Sequence, residues 1–139
     1  MIQRIQSVWL LLAAIFAAIT FSLPFYVGSM TDATGIVSST QLTAQTTMLL
    51  TALTVLSGAT AFGAIFLFEN RKLQLRVTIL GLLFTILLLV VYVLQLKNFT
   101  SGSFALSSIL HFGIIAFYIL AIRGIVKDQK LMKSLDRLR

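Results

Sequence analysis

Four stretches of this sequence run for about twenty residues or more without a single Asp, Glu, Lys or Arg. They are Val8–Val27, a longer run from Leu42 to Phe68, Val77–Leu96 and Phe104–Ile122. A hydrocarbon core of ~30 Å takes roughly 20 apolar residues of helix to cross. Four independent matches to that length predict four membrane spans in a single integral membrane domain covering residues 1–139. The alternative, four buried core helices of a water-soluble protein, fails on area. Only 11% of the 139 residues are charged, too few to hide four all-round apolar helices from water. The second run is longer than a bilayer requires, and its polar start, Thr43–Thr47, is expected at the outer headgroup level or in a tilted helix.

The basic residues set the orientation. Arg4 precedes the first run, Arg71, Lys72 and Arg76 fall between the second and third, and Arg123, Lys127, Lys130, Lys133, Arg137 and Arg139 follow the fourth. Lys97 alone lies on the other side. By the positive-inside rule both termini are expected in the cytoplasm. The net charge of +7 is therefore a topology signal, and no nucleic-acid partner is expected. Trp9, Tyr26, Tyr92 and Tyr118 stand near the ends of runs, where amphipathic rings favour the interface. Residues 1–22 resemble a signal peptide with Arg4 as its basic start. No small-residue cleavage site follows Pro24-Phe25-Tyr26, so an uncleaved anchor helix is expected.

Between the runs there is little to bury. The first outer loop, Gly28–Ala44, is small and polar, with turns at Asp32 and Gly35, and is expected to form an ordered cap at most. The loops Glu69–Arg76 and Lys97–Ser103 are short. The tail, 123–139, places Leu131, Leu135 and Leu138 at helical spacing among basic residues. It reads as a cationic amphipathic helix on the inner leaflet, with Arg123, Lys127, Lys130, Lys133 and Arg137 on anionic headgroups. Docking of a soluble partner is the other use of such a helix.

Candidate chemistry is sparse. His111 is the one ionisable residue inside a run, with Ser107 and Ser108 beside it, and intramembrane ionisable groups are costly and often functional. A proton relay or metal site would need a second such group nearby, so a neutral imidazole hydrogen-bonded to Ser or Thr on a neighbouring helix, or to a partner subunit, is the plainer expectation. The second run carries Thr47, Thr51, Thr54, Gly58 and Ala61 at helical spacing, and the first carries Ala13, Ala14, Ala17 and Ala18. Small-residue faces let helices approach closely, within the bundle or against a partner; a threonine-lined path is the sharper alternative. No Cys is present, which excludes disulfides, thiol redox chemistry and thiolate-held metals. Small multidrug exporters match this size and span count but need a membrane-embedded Glu. Glu69 lies at the inner border, where an ion pair with Arg71 is expected. No H-E-x-x-H, G-x-S-x, paired intramembrane Asp or Walker pattern occurs.

The opening Met1-Ile2-Gln3-Arg4-Ile5-Gln6, followed by Trp9 and a Leu/Ala-rich helix, resembles the start of a family of small four-span membrane proteins typical of Bacteroidota. That family is catalogued as domain of unknown function 4293. The resemblance extends over the whole chain through its hydropathy, polar outer loop and basic tail. It implies a bacterial inner membrane and brings no catalytic residues. Arg4 also suits positive-inside anchoring, but Gln3 and Gln6 on the same segment suggest a cytoplasmic-face contact with a partner protein.

The expectation is an all-α, four-helix membrane bundle with both termini in the cytoplasm, acting as a non-catalytic accessory subunit of a larger inner-membrane complex. Protein export or envelope biogenesis is the process we would name for it. Other integral membrane proteins would be its partners, through Gln3, Arg4, Gln6, Ala13, Ala17, Thr51, Thr54, Gly58 and Ala61. No cofactor or metal is implied. The alternative is a small oligomeric transporter or channel, with His111 and the threonines of the second run lining its path.

Overall fold

The computed structural model describes residues 2–137, with side chains from residue 5. Helix α1 (Ile2–Ser22) leads into strands β1 (Tyr26–Thr31) and β2 (Val37–Leu42). Helices α2 (Met48–Phe66) and α3 (Arg71–Gln95) follow, then strand β3 (Ser101–Phe104) and helix α4 (Ile109–Arg137). All four helices are long and apolar enough to cross a membrane. Around the bundle α1 packs on α2 and α4, and α3 on α2 and α4, so α1 faces α3 across a diagonal.

The expected all-α fold is thus incomplete: a three-stranded antiparallel sheet, in order β2-β1-β3, covers one end of the bundle. Its strands come from the segments read as a polar cap and a short loop, and they shorten three of the expected spans. α1 stops at Ser22 instead of Val27, because Leu23-Pro24 favours extended backbone and Tyr26 starts β1. α2 starts at Met48 instead of Leu42. Leu42 ends β2, and the Thr43 amide bonds Thr46 Oγ1 at 2.9 Å while the Thr46 amide bonds the Thr43 carbonyl at 3.1 Å. Such hydroxyl turns compete with helix. α4 starts at Ile109 instead of Phe104, which ends β3. α3, by contrast, begins six residues early at Arg71, with the Asn70 side chain accepting from the Leu73 amide at 3.4 Å. α4 continues to Arg137, about 43 Å of helix.

Turn chemistry at Asp32 and Gly35 forms as expected. Gly35 donates to the Asp32 carbonyl at 2.8 Å and has a φ of 77°, a left-handed value that suits glycine. Gly28 and Gly102 face each other across β1 and β3. A Cβ on Gly102 would lie 2.7 Å from the Tyr26 ring, and one on Gly28 would lie 2.9 Å from that of Phe99. The glycine pair is a flat bed for two aromatic rings, which shield backbone that no side chain covers.

Inside the bundle the close contacts are polar or between small residues. Ala13, Ala17, Ala61, Ala64 and Ala121 are buried, with Leu10, Ile114 and Tyr118. Tyr118 and Tyr92, expected at the interface, are instead fully buried. Tyr118 Oη donates to the Ser57 carbonyl at 2.6 Å and lies 3.1 Å from Thr60 Oγ1, linking α4 to α2 across the bundle. Its ring crosses Gly81 of α3, where a Cβ would strike Tyr118 Oη and stand 2.6 Å from Thr60 Oγ1. Thr85 Oγ1 donates to the Gly81 carbonyl at 2.9 Å and meets Ser57 Oγ at 2.7 Å. Gln74 Nε2 donates to the Ala64 carbonyl at 3.0 Å, closing the end of α2.

Gly81→Ala should therefore destabilise the bundle by about 1–3 kcal/mol through overpacking. Gly63→Ala, whose Cβ would meet nothing within 4 Å, should leave it within about 0.5 kcal/mol of the parent. Unfolding of both variants in one detergent, followed by circular dichroism, checks the contrast.

Candidate functional site

Pro24 and Phe25 join the sheet to the bundle, and the main polar anomaly of the interior lies beside them. The Phe25 amide donates to the Leu42 carbonyl at 2.7 Å, and its carbonyl accepts from the Ala105 amide at 3.1 Å. Its backbone is thereby held by the residues that end β2 and follow β3. Ser107 Oγ donates to the Pro24 carbonyl, tying the 3-10 turn Leu106–Ser108 to the same point. With its backbone fixed, the Phe25 ring stacks on Tyr92 at 4.4 Å and meets the edge of His111 at 5.1 Å. Tyr92 and His111 are themselves 5.1 Å apart in an edge contact.

The three rings are buried, and the polar atoms among them are unsatisfied. Among the described residues, Tyr92 Oη and both imidazole nitrogens of His111 have no hydrogen-bond partner of good distance and angle. The backbone of Ser107 and Ser108 lies close to the imidazole. Among the described residues, no Ser or Thr of a neighbouring helix makes the hydrogen bond expected for His111. Buried polar groups without partners are rare and costly. On the lipid-facing side of Phe25, a groove of about 690 Å³ runs between α3 and α4, lined by Phe25, Val90, Phe104, Ser108 and Phe112 among others.

The other expected site residues lie apart from this cluster. Thr51 Oγ1 donates to the Ala44 carbonyl at 2.8 Å and Thr54 Oγ1 to that of Leu50 at 2.8 Å, so both hydroxyls are committed to backbone. Ala13, Ala17, Thr54 and Ala61, read as a partner face, are buried within the bundle. Gly58 sits against Ala17, its Cβ position 3.4 Å from that methyl. Gln6 is 4% exposed and turns inward over Gly124, where a Cβ would lie 2.7 Å from Gln6 Cγ. The absence of a side chain at Gly124 leaves the notch that takes it. The side chains of Gln3 and Arg4, and Leu138 and Arg139 entirely, lie outside the described residues.

What remains outward on α1 and α2 is one helical step round. Ala14, Ala18, Val55 and Ala59, flanked by Phe21 and Phe62, line a groove of about 510 Å³, and Ala17, Thr54 and Gly58 of the expected partner face reach its floor. On α4, Arg123, Lys127, Lys130, Lys133 and Arg137 are exposed, the first three around a shallow hollow of about 310 Å³. Arg71 pairs with Asp128 at 3.8 Å and not with Glu69 as expected, because α4 continues past the bundle end and brings Asp128 alongside. Gln129 Nε2 donates to the Arg71 carbonyl at 3.0 Å, on the same side. Among the described residues no three His, Asp or Glu side chains gather as a metal would require.

A family described as a domain of unknown function, DUF4293, matches residues 2–138. The chain belongs to the DUF4293 family. No curated protein and no solved structure matches it. In this DUF4293 protein the aromatic triad was not legible in advance. Phe25 carries no pattern beyond hydrophobicity, Tyr92 reads only as an aromatic near a span end, and His111 with Ser107 and Ser108 was the one pointer to that end of the bundle.

The two buried tyrosines make a matched pair. Tyr92→Phe removes a hydroxyl that has no partner and should be neutral or stabilising by up to about 1 kcal/mol. Tyr118→Phe removes a bonded one and should cost about 0.5–1.5 kcal/mol. Denaturant titration of both variants without added ligand tests the opposite signs.

Proposed function

We propose that this protein is a non-catalytic accessory subunit of a larger bacterial inner-membrane complex, with both termini in the cytoplasm and the sheet on the far side. The observation that carries the reading is the small-residue groove between α1 and α2. Helices in a bilayer gain nothing from hiding apolar surface from lipid. They associate where small residues allow close backbone approach. Ala14, Ala18 and Ala59 provide such a strip on an outward face, with Phe21 and Phe62 as its walls. A partner helix laid there would meet Ala14, Ala17, Ala18, Gly58 and Ala59, while the buried Ala13 and Ala61 support the strip from inside.

The orientation is supported by the basic residues: among the described residues Arg4, Arg71, Lys72, Arg76, Arg123, Lys127, Lys130, Lys133 and Arg137 belong to the end of the bundle that carries α4's extension and the α2–α3 turn, and Lys97 alone to the other. Arg123, Lys127 and Lys130 would then meet anionic headgroups of the inner leaflet. Leu131, Met132 and Leu135, exposed on the last turns of α4, would enter the same interface.

Alkaline-phosphatase fusions after Gly35 and Ser101 should be active, and fusions after Lys72 and Arg139 inactive; activity at Lys72 would reverse the topology. For the partner surface, Ala59→Leu and Ala18→Phe should release membrane proteins that co-purify with a tagged parent in mild detergent, while the variants still insert and unfold like the parent. Recovery of the parent as a lone monomer, or as a homo-oligomer that conducts ions in liposomes, would defeat the subunit reading and favour a transporter.

A further inference from the structure

We propose that the base of α4 holds one lipid whose headgroup joins two phosphates through a glycerol bridge, a diphosphatidylglycerol, in the hollow between Arg123, Lys127 and Lys130. The inference rests on the reading that this end of α4 meets anionic headgroups. It replaces a general attraction with one site and one headgroup class.

Three observations define the ligand. First, three cations converge without an acid among them. At 3.6 residues per turn, Arg123, Lys127 and Lys130 fall within about 60° of arc, and all three line the same hollow of about 310 Å³. Like charges one turn apart repel. Asp128 and Asp136 stand more than about 120° round the helix from the middle of that arc. Asp128 is buried and paired with Arg71, and among the described residues no acid pairs with any of the three. Second, the level on the helix points to lipid. Arg123 lies about 21 Å along α4 from Ile109, while the apolar length of α1 from Ile5 to Ser22 is about 27 Å, at 1.5 Å per residue. An exposed guanidinium that starts short of the headgroups extends along the helix to reach them, toward Lys127 and Lys130. The anion it meets there is a phosphate of the leaflet. Third, one side of the hollow is apolar. Ile122 and Val126, both half-buried, form a row beside the cations. A soluble anion makes no use of that row, whereas the glycerol and the first carbons of an acyl chain cover it.

The count and spacing of the cations call for two phosphates on one head. A single phosphate leaves most of the positive charge of three side chains uncompensated. Two separate lipids would each lose freedom on being held. Linked phosphates lose it once, and the second then binds at a high effective concentration. Arg123 and Lys127 are about 6 Å apart along the helix axis, and Lys127 and Lys130 about 4.5 Å, steps that a three-carbon bridge matches.

The test uses the full-length protein in mild detergent, with tetraoleoyl cardiolipin and dioleoyl phosphatidylglycerol added at equal phosphate and adducts read by native mass spectrometry. A one-to-one cardiolipin adduct is expected, with an affinity at least about tenfold above that of phosphatidylglycerol. Arg123→Gln, Lys127→Gln and Lys130→Gln should each lower it about fivefold. Lys72→Gln, which removes the same charge from α3, should leave it unchanged, and inorganic pyrophosphate at the same concentration should not displace the lipid. If a variant of the hollow does not fold, the ratio of the two lipids in the parent decides. Equal affinity for the two lipids overturns the two-phosphate site and leaves the headgroup reading standing; binding of neither removes both. An equal loss in Lys72→Gln, or displacement by pyrophosphate, also overturns the proposal.

Discussion

A helix bundle in lipid cannot be held together by the force that holds a soluble core, because the tails around it are as apolar as leucine. This protein depends instead on one place where a side chain crosses bare backbone, at Gly81. With no side chain there, Tyr118 of α4 crosses α3 and reaches the Ser57 carbonyl of α2. The Ser57–Thr85 hydroxyl contact lies on the same level, and the buried alanines of α1, α2 and α4 let the remaining helices close around it. Each such hydrogen bond contributes modestly in a membrane, on average about 0.6 kcal/mol. Their weight comes from the distances they enforce, which set dispersion contacts along four helices at once.

The sheet imposes a second constraint. Residues 24 and 25 are bonded from the end of β2, the residue after β3 and the turn before α4. The top of the bundle is thus fastened by backbone hydrogen bonds as well as by packing, and a phenylalanine is fixed beside two polar rings that have no partners of their own. The basic end is joined differently, through Arg71, Asp128 and Gln129 on adjoining helices. One end is closed by a sheet and the other by a few side chains on a helix that runs on beyond them.

Much of this architecture could be read from the sequence, and the failures have physical causes. The spans were legible because absence of charge over twenty residues leaves few alternatives. The strands were not, since Val-Ser-Ser-Thr-Gln-Leu and Ser-Gly-Ser-Phe are short, polar and lack the alternating apolar face that marks a half-buried sheet. Their pairing is decided by each other and by the Gly28–Gly102 bed, a contact across 74 residues that no local pattern contains. The tyrosines misled because Tyr at a span end and Tyr over a distant glycine look identical until Gly81 is placed. Gln6 was assigned outward for its polarity; the notch at Gly124 that admits it lies on another helix. For the candidate site His111 was visible, by its cost in lipid, with Ser107 and Ser108 beside it. Its neighbours come from α3 and from the residue after Pro24, and become neighbours only once the sheet has formed.

The strand order has a bearing on how the chain is made. β1 lies in the middle, yet its two neighbours are produced at very different times. β2 follows within one turn, whereas Ser101, opposite Ser29, comes 72 residues later, after two more helices. At 5–20 residues per second that is a delay of roughly 4–14 s, during which one edge of β1 carries unpaired amides and carbonyls. An open edge is a template for any extended segment nearby. The Phe25 carbonyl, which waits for Ala105, is left unbonded over the same interval. A four-residue strand is then inserted into a place held open for it, and the aromatic cluster below is completed only when α4 follows with His111.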